Sequence, residues 1–355
     1  MREMPSSTTF FKASLLLAYA LYLFPGTQAA AIKRRAVGIP ASVPQFALDY
    51  APIVYLHSDD MYRPSDIGSM LANTRPRIDH GAIQDAPSSI TLDNLDKLND
   101  YKDGGQGVYL TSNKQVAADT EQEWLKGVTP DKDGLTKDAV SAAVIVNEKD
   151  NGVTDVFYCY FYNFNAGPPI KILGIELIFG NHVGDWEHNM VRFKNGEPTG
   201  VYYSQHAGGQ VFAYGATRKK GKRPLAYSAK GSHANYATDG IHDHTIPHLN
   251  LPGSLFLVDQ TDHGHMWDPI RSAYFYKFKD GKFTAYDDST PVNWLYYKGK
   301  WGDQEQPRDN PNQMMAFGHA KFGGGPTGPL DKGLERKGMC ADGVRACWTM
   351  PFLAA

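Results

Sequence analysis

The segment from Asn181 to Phe193 reads NHVGDWEHNMVRF and brings His182, Asp185 and Glu187 close together in the chain. Charged side chains are seldom buried unless they are paired or hold a metal. If DWEHNMVRF is extended, alternate side chains share a face. Asp185, Glu187 and Asn189 then point one way, and Trp186, His188 and Met190 the other. Two carboxylates on one face repel unless something cationic lies between them, and His182, at the bend near Gly184, can curl over the same spot. Oxygen ligands with one imidazole suit Ca2+, Mg2+, Mn2+ or Zn2+, and the mix alone does not choose. The competing reading has Asp185 capping a turn and Glu187 pairing with an arginine such as Arg192.

Other histidines stand at strand ends. His206 closes YYSQHAGG, where the glycine pair lets backbone approach closely, and His233 lies in AKGSHANY. Grouped around one acid pair, they outline a pocket. IHDHTIPH, with His242, Asp243, His244 and His248, reads as a solvated loop, and DQTDHGHMWDP as a strand or a turn at Gly264. RKKGKR, from Arg218 to Arg223, reads as an exposed hairpin tip suited to anionic lipid heads or acidic glycans. Nucleophilic hydrolysis finds no G-x-S-x-G, and Ser204 and Ser232 have nothing to single them out. H-E-x-x-H and P-loop motifs are absent as well.

The elements that must position these groups are mostly strands. Asp150-Asn151-Gly152, Asn195-Gly196 and Asp280-Gly281 each separate two extended runs, the pattern of β-hairpins. Helical signals are few: SDIGSMLANT with Ser65 as N-cap, TLDNLDKLN with leucines three apart, and EQEWLKG stopped by Gly127. Hairpins with few helices predict a mainly β fold, an antiparallel β-sandwich or jelly-roll-like core with a few short helices. No linker divides residues 46–330, which are expected to form one domain, followed by a C-terminal tail over 331–355.

The net charge of −2 and the single short basic run argue against a nucleic-acid partner. Residues 1–30 have the layout of a secretory signal peptide: flanking Arg2 and Lys12, the apolar run ASLLLAYALYLF, then small residues. KRR at Lys33–Arg35 reads as a dibasic site closing a pro-segment over 31–35, or as a basic linker. Export to the secretory pathway, with the vacuole lumen or the cell exterior as destination, is the expectation. Cys340 and Cys347 frame a short loop that a disulfide could close in such a compartment. Cys159, in FYCYFY, reads as a buried thiol.

Six blocks in order, YAPIVYLHSDDMYRPSDI, GDWEHNMVRF, YYSQHAGG, RPLAYSAKGSHANY, WLYYKGKWGD and GGGPTGP, resemble the vacuolar protein sorting-associated protein 62 family of fungi and plants. That resemblance implies a part in protein delivery to the vacuole. A fainter one links Asn181–Glu187 to the heptad G-H-R-H-D-W-E of necrosis- and ethylene-inducing-like proteins. It implies a β-sandwich, a bound divalent cation and affinity for sphingolipid head groups. Its metal ligands fall on His182, Asp185 and Glu187, an upstream ligand falls on Asn165, and a further histidine on His206. Gly184 replaces the heptad's second histidine, Asn181 its leading glycine, and Asn165 is neutral. One charge fewer implies weaker holding of Ca2+ or Mg2+.

The expected function is an exported sorting-associated protein whose cation, Ca2+ or Mg2+ ahead of Zn2+ or Mn2+, is held by His182, Asp185 and Glu187. His206, His233 and Asn165 line the pocket for a polar or anionic small ligand, a lipid head group or a glycan, with peripheral membrane contact as a corollary. Two alternatives stand beside it: a metal-dependent hydrolase of a glycan or phosphoester, and a secreted effector binding membrane lipid head groups.

Overall fold

In the computed structural model, which describes residues 38–172, 175–206, 208–243, 257–316, 318–342 and 347–353, the turn pairs do what their chemistry allows. Asn195 and Gly196 (φ 52° and 84°) and Asp280 and Gly281 (φ 49° and 73°) take the left-handed conformations that a two-residue hairpin needs. Each joins antiparallel strands, as does the Asp150–Gly152 turn. The expected signal peptide over 1–30 and pro-segment over 31–35, His244, His248 and the start of GSLFLVDQT lie outside the described residues. Arg35–Ala355 forms one compact unit. Among the described residues no helix is long and apolar enough to cross a membrane.

The fold is mainly β, as the turn spacing predicts. Its principal sheet has eight strands in the order Lys282–Ala285, Ala273–Lys279, Ala142–Glu148, Val153–Asn165, His182–Lys194, Glu197–Gln205, Gly208–Ala213 and Thr349–Met350. The middle of the sheet is antiparallel. Ala273–Lys279 joins Ala142–Glu148 in parallel, and Thr349–Met350 joins the far edge in parallel. A second sheet, built on Ile53–Leu56, Arg223–Ser228 and His265–Trp267, with Asn235–Tyr236 paired to Arg223–Ser228, covers one face.

Val153–Asn165 is buried over nearly its whole length because both faces of the sheet are covered. Alternation sorts its side chains: Phe157, Cys159 and Phe161 enter one core, and Tyr158, Tyr160 and Tyr162 the other. The first core gathers Trp186, Trp294 and Trp301 under short helical turns, with Trp186 stacked on Trp294 (centroids 5.6 Å). The second lies against the small sheet, with Val54, Ala226 and Trp267. Cys159 is a buried free thiol, pushed by burial up to about 12.

Three expectations need correction. Ser65 does not cap a helix. The helix runs Ile67–Asn73 with Asp66 as N-cap, while the buried Ser65 hydroxyl donates to the Arg63 carbonyl and accepts from Asn163 N–H, tying that segment to the sheet. His242 and Asp243 are not in a solvated loop but buried in the strand Gly240–Asp243, His242 stacking on Tyr236. The described residues of the expected tail, 331–342 and 347–353, pack onto the fold: Leu334 and Arg336 are buried, Cys340 and Cys347 are joined, and Thr349–Met350 adds a strand.

Candidate functional site

Across the ladder Asp185 sits opposite Tyr162, and Glu187 opposite Tyr160. Both tyrosines belong to the core under the small sheet, so both carboxylates share that face. Strict alternation from Trp186 would send His182 to the tryptophan side. Val183, however, packs in the same core as Trp186, so the parity changes once between them. The change falls at Gly184, whose φ is 70°. Asn163, opposite it, drops out of the ladder while the register on either side continues unbroken. His182, with Asn165 opposite it, therefore reaches the face that carries Asp185 and Glu187.

Asp185, Glu187 and His182 are each held by a partner through one side-chain atom. Asp185 Oδ2 accepts from His233 Nδ1 at 2.9 Å. The His233 ring is fully buried and stacks on Tyr162 (centroids 3.7 Å), with Nε2 3.2 Å from the Tyr62 carbonyl and 3.5 Å from Asp60. Glu187 Oε2 accepts from the Ser204 hydroxyl, which itself accepts from His188 N–H. His182 Nδ1 lies 2.7 Å from the Gly184 carbonyl. A carbonyl only accepts, so Nδ1 carries the proton and Nε2 presents its lone pair. Among the described residues, Asp185 Oδ1, Glu187 Oε1 and His182 Nε2 have no hydrogen-bond partner. Partners that fix one atom of a ligand and leave the other free are what metal sites use to orient their donors. Among those same residues, no group of three or more His, Cys, Asp or Glu side chains is placed to hold a metal ion.

The electrostatics follow from crowding. Burial, then the Asp185 charge, raises the Glu187 carboxyl to about 7. Burial lowers His182 despite the attraction of Asp185, which keeps its ring neutral, the form that ligates metals. Burial works against charge on His233 as well, but the Asp185 hydrogen bond and the Asp60 charge outweigh it, and its pKa is raised. For His206, burial is likewise outweighed, here by Asp259.

Glu187 makes stability pH-dependent. Its folded pKa of about 7 lies above the ordinary 4.5, so the native state keeps a proton that the unfolded chain releases. That contribution is complete below the unfolded pKa and disappears as pH rises through the folded one. With chelator present, wild-type stability relative to Glu187→Gln is expected to fall between pH 5 and pH 8. Urea midpoints at the two pH values measure this, and parallel midpoints would refute it.

The pocket residues foreseen in the sequence take different places. His233 supports Asp185 from beneath: it is buried with both nitrogens engaged, so it does not line an open pocket. His206, with a side chain 35% exposed, bonds Asp259 at 2.7 Å. Asp259 is buried and also accepts from Ser232 and Tyr236, each at 2.7 Å. Asn165 donates to the Gly180 carbonyl at 2.9 Å. Arg192 does not pair with Glu187; it forks onto Asp155 at 2.6 and 2.8 Å. Sequence reasoning missed Asp60, Asp259 and Ser204 as supports. Nothing in the sequence singled out Ser204, because its hydroxyl reaches Glu187 only through the neighbouring strand.

Comparison with solved structures finds necrosis- and ethylene-inducing protein 2 from the agent of cocoa's witches' broom disease: 16% identity, 57% of this chain, 72% of that one, TM-score 0.25. A structure described as a toxin fold for microbial attack and plant defence matches at 13% identity over 69% of this chain and 78% of that one, TM-score 0.29. Among curated sequences, the putative vacuolar protein sorting-associated protein TDA6 of Saccharomyces cerevisiae is 34% identical over 86% of this chain and 70% of its own length. Vacuolar protein sorting-associated protein 62 of the same yeast is 34% identical over 84% and 68%. The family profile for vacuolar protein sorting-associated protein 62 matches residues 36–306, and with two yeast relatives similar across most of both chains, the protein belongs to that family.

Proposed function

We propose that this protein binds a polar or anionic head group, of a lipid or a glycan, through a divalent cation, and does so in the vacuolar delivery route that names its relatives. The observation carrying this reading is the trio of donor atoms, His182 Nε2, Asp185 Oδ1 and Glu187 Oε1, left without hydrogen bonds on one face and fixed from behind. Hard carboxylate oxygens with one neutral imidazole fit Ca2+ or Mg2+ first, and Zn2+ or Mn2+ after them. The cation would neutralise the crowded acid pair and offer its remaining positions to water or to ligand oxygens. Entry through the secretory pathway, to the vacuole lumen or the exterior, goes with this reading.

The test is metal analysis and thermal unfolding of wild type beside Asp185→Ala/Glu187→Ala. At a hundred times Kd the ion adds about 2.7 kcal/mol, a rise of roughly 5 °C for a chain of this size. The double variant should carry no metal and show no rise. Equal, negligible metal in both proteins removes the reading.

A second reading, a metal-dependent hydrolase of a glycan or phosphoester, is favoured by one observation. Glu187, held near neutrality, is within electrostatic reach of the His206–Asp259 pair. A bound cation would supply an activated water, and His206, oriented by Asp259, would move the proton. Chelator-sensitive turnover of a substrate panel decides between the two readings.

A further inference from the structure

The basic run over residues 218–223 folds as a hairpin, in which Lys219–Lys220 pairs with the start of Arg223–Ser228 and Gly221 turns at φ 64°. Its lysines lie over aromatic rings. Lys219 Nζ stands 4.9 Å from the Tyr214 ring centre, and Lys222 Nζ 5.4 Å from that of Tyr50. Tyr50 meets Tyr214 edge-on at 5.5 Å, and the Tyr214 hydroxyl donates to the Lys222 carbonyl at 2.7 Å. Tyr50 and Phe46 both pack on Phe193, near the end of His182–Lys194. The strand Thr349–Met350 runs along the same sheet edge, with Met350 opposite Phe212, two residues before Tyr214. Trp348 and Phe352 bracket that strand. At 61% and 68% they are the most exposed large apolar side chains among the described residues.

The cations Arg218, Lys219, Lys220, Lys222 and Arg223 outnumber the carboxylates they meet. Asp239 pairs with Arg218, Asp49 lies 3.4 Å from Lys222, and Asp268 lies 2.5 Å from Arg223. Among the described residues Lys219 and Lys220 form no ion pair; Lys219 donates to the carbonyls of Tyr214 and Thr217 at 2.9 and 2.6 Å. Excess positive charge beside exposed rings suits an anionic membrane, where lysines meet the lipid heads and aromatic side chains enter the interface. A polyanion in solution would use the charge but not the rings. We propose that this end of the molecule docks on the surface of an anionic lipid bilayer. It does so apart from the cation reading, because Asp185 precedes Phe193 by eight residues of one strand, about 26 Å of extended chain. A molecule lying on a bilayer through this end holds Asp185 and Glu187 away from it, so their ligand arrives from solution or from a second surface.

The experiment is flotation of the full chain with vesicles of phosphatidylcholine alone and of phosphatidylcholine mixed with phosphatidylserine, in EDTA and in CaCl2. Wild type is compared with Lys220→Gln/Lys222→Gln and Trp348→Ala/Phe352→Ala, all four side chains being exposed. Wild type is expected to float with the mixed vesicles only, as well in EDTA as in CaCl2, and to be released as salt rises. The lysine pair should weaken binding roughly twenty-five-fold, about fivefold for each charge. Loss of the two rings should weaken it roughly tenfold or more. No flotation in EDTA overturns the proposal without touching the cation reading. Flotation that needs Ca2+ and survives both pairs of substitutions assigns the lipid to the cation site and overturns it too. Unchanged flotation of Trp348→Ala/Phe352→Ala, with heparin displacing wild type from the vesicles, makes the hairpin a site for soluble acidic glycans and overturns the membrane surface.

Discussion

Replacing Gly184 by alanine is expected to destabilise the protein by about 4 kcal/mol or more, among the largest effects available to a single substitution. Two costs add. At φ 70° an L residue pays about 1–2 kcal/mol for the left-handed conformation. A Cβ there would also drive into the carbonyl oxygen of Trp301, a backbone atom with no rotamer to escape through. Trp301 is fully buried in the tryptophan core, and Gly302 beside it abuts the Val183 carbonyl in the same way. The two segments touch backbone to backbone, so neither can yield alone. The substitution should weaken cation binding as well, because the kink at Gly184 is what turns His182 to the side of Asp185. Urea unfolding measures the first effect, and a midpoint equal to wild type would refute the account of this kink.

Asp155→Ala should cost about 3–5 kcal/mol, the range for removing one member of a buried ion pair. Asp155 is fully buried and accepts from Arg192 at 2.6 and 2.8 Å and from Lys149 at 2.5 Å. Removing it strands two cations whose stems are mostly buried. The same cations also hold the C-terminal segment: Lys149 donates to the Arg336 carbonyl at 2.6 Å, and Arg192 to those of Lys337 and Gly338 at 3.0 Å each. Arg336 in turn lies over the rings of Phe157 and Tyr202. Hydrogen exchange over residues 333–342 should therefore speed up in the variant by more than in the central strands. A loss below 1 kcal/mol, with unchanged exchange there, would show that the C-terminal segment is held by packing alone.

Much of the architecture is legible in the sequence. The Asn-Gly and Asp-Gly turns needed only two adjacent residues to specify their conformation. The alternation of Asp185, Glu187 and Asn189 against Trp186, His188 and Met190 needed only a period of two. Six ordered blocks were enough to mark the family. These features are local, so a string of neighbours encodes them. Tertiary structure decided the rest. The side taken by His182 depends on Gly184 meeting Trp301, a residue distant in sequence. Asp60 and Asp259 became supports because separate chain segments close over the site strand, and no periodicity announces such a meeting. His233 was readable as a histidine near a strand end, but its burial against Tyr162 was not. The segment after residue 330, polar and rich in charge, reads as a tail because its stability comes from carbonyls that capture Lys149 and Arg192. Backbone acceptors of that kind leave no mark in a sequence of side chains.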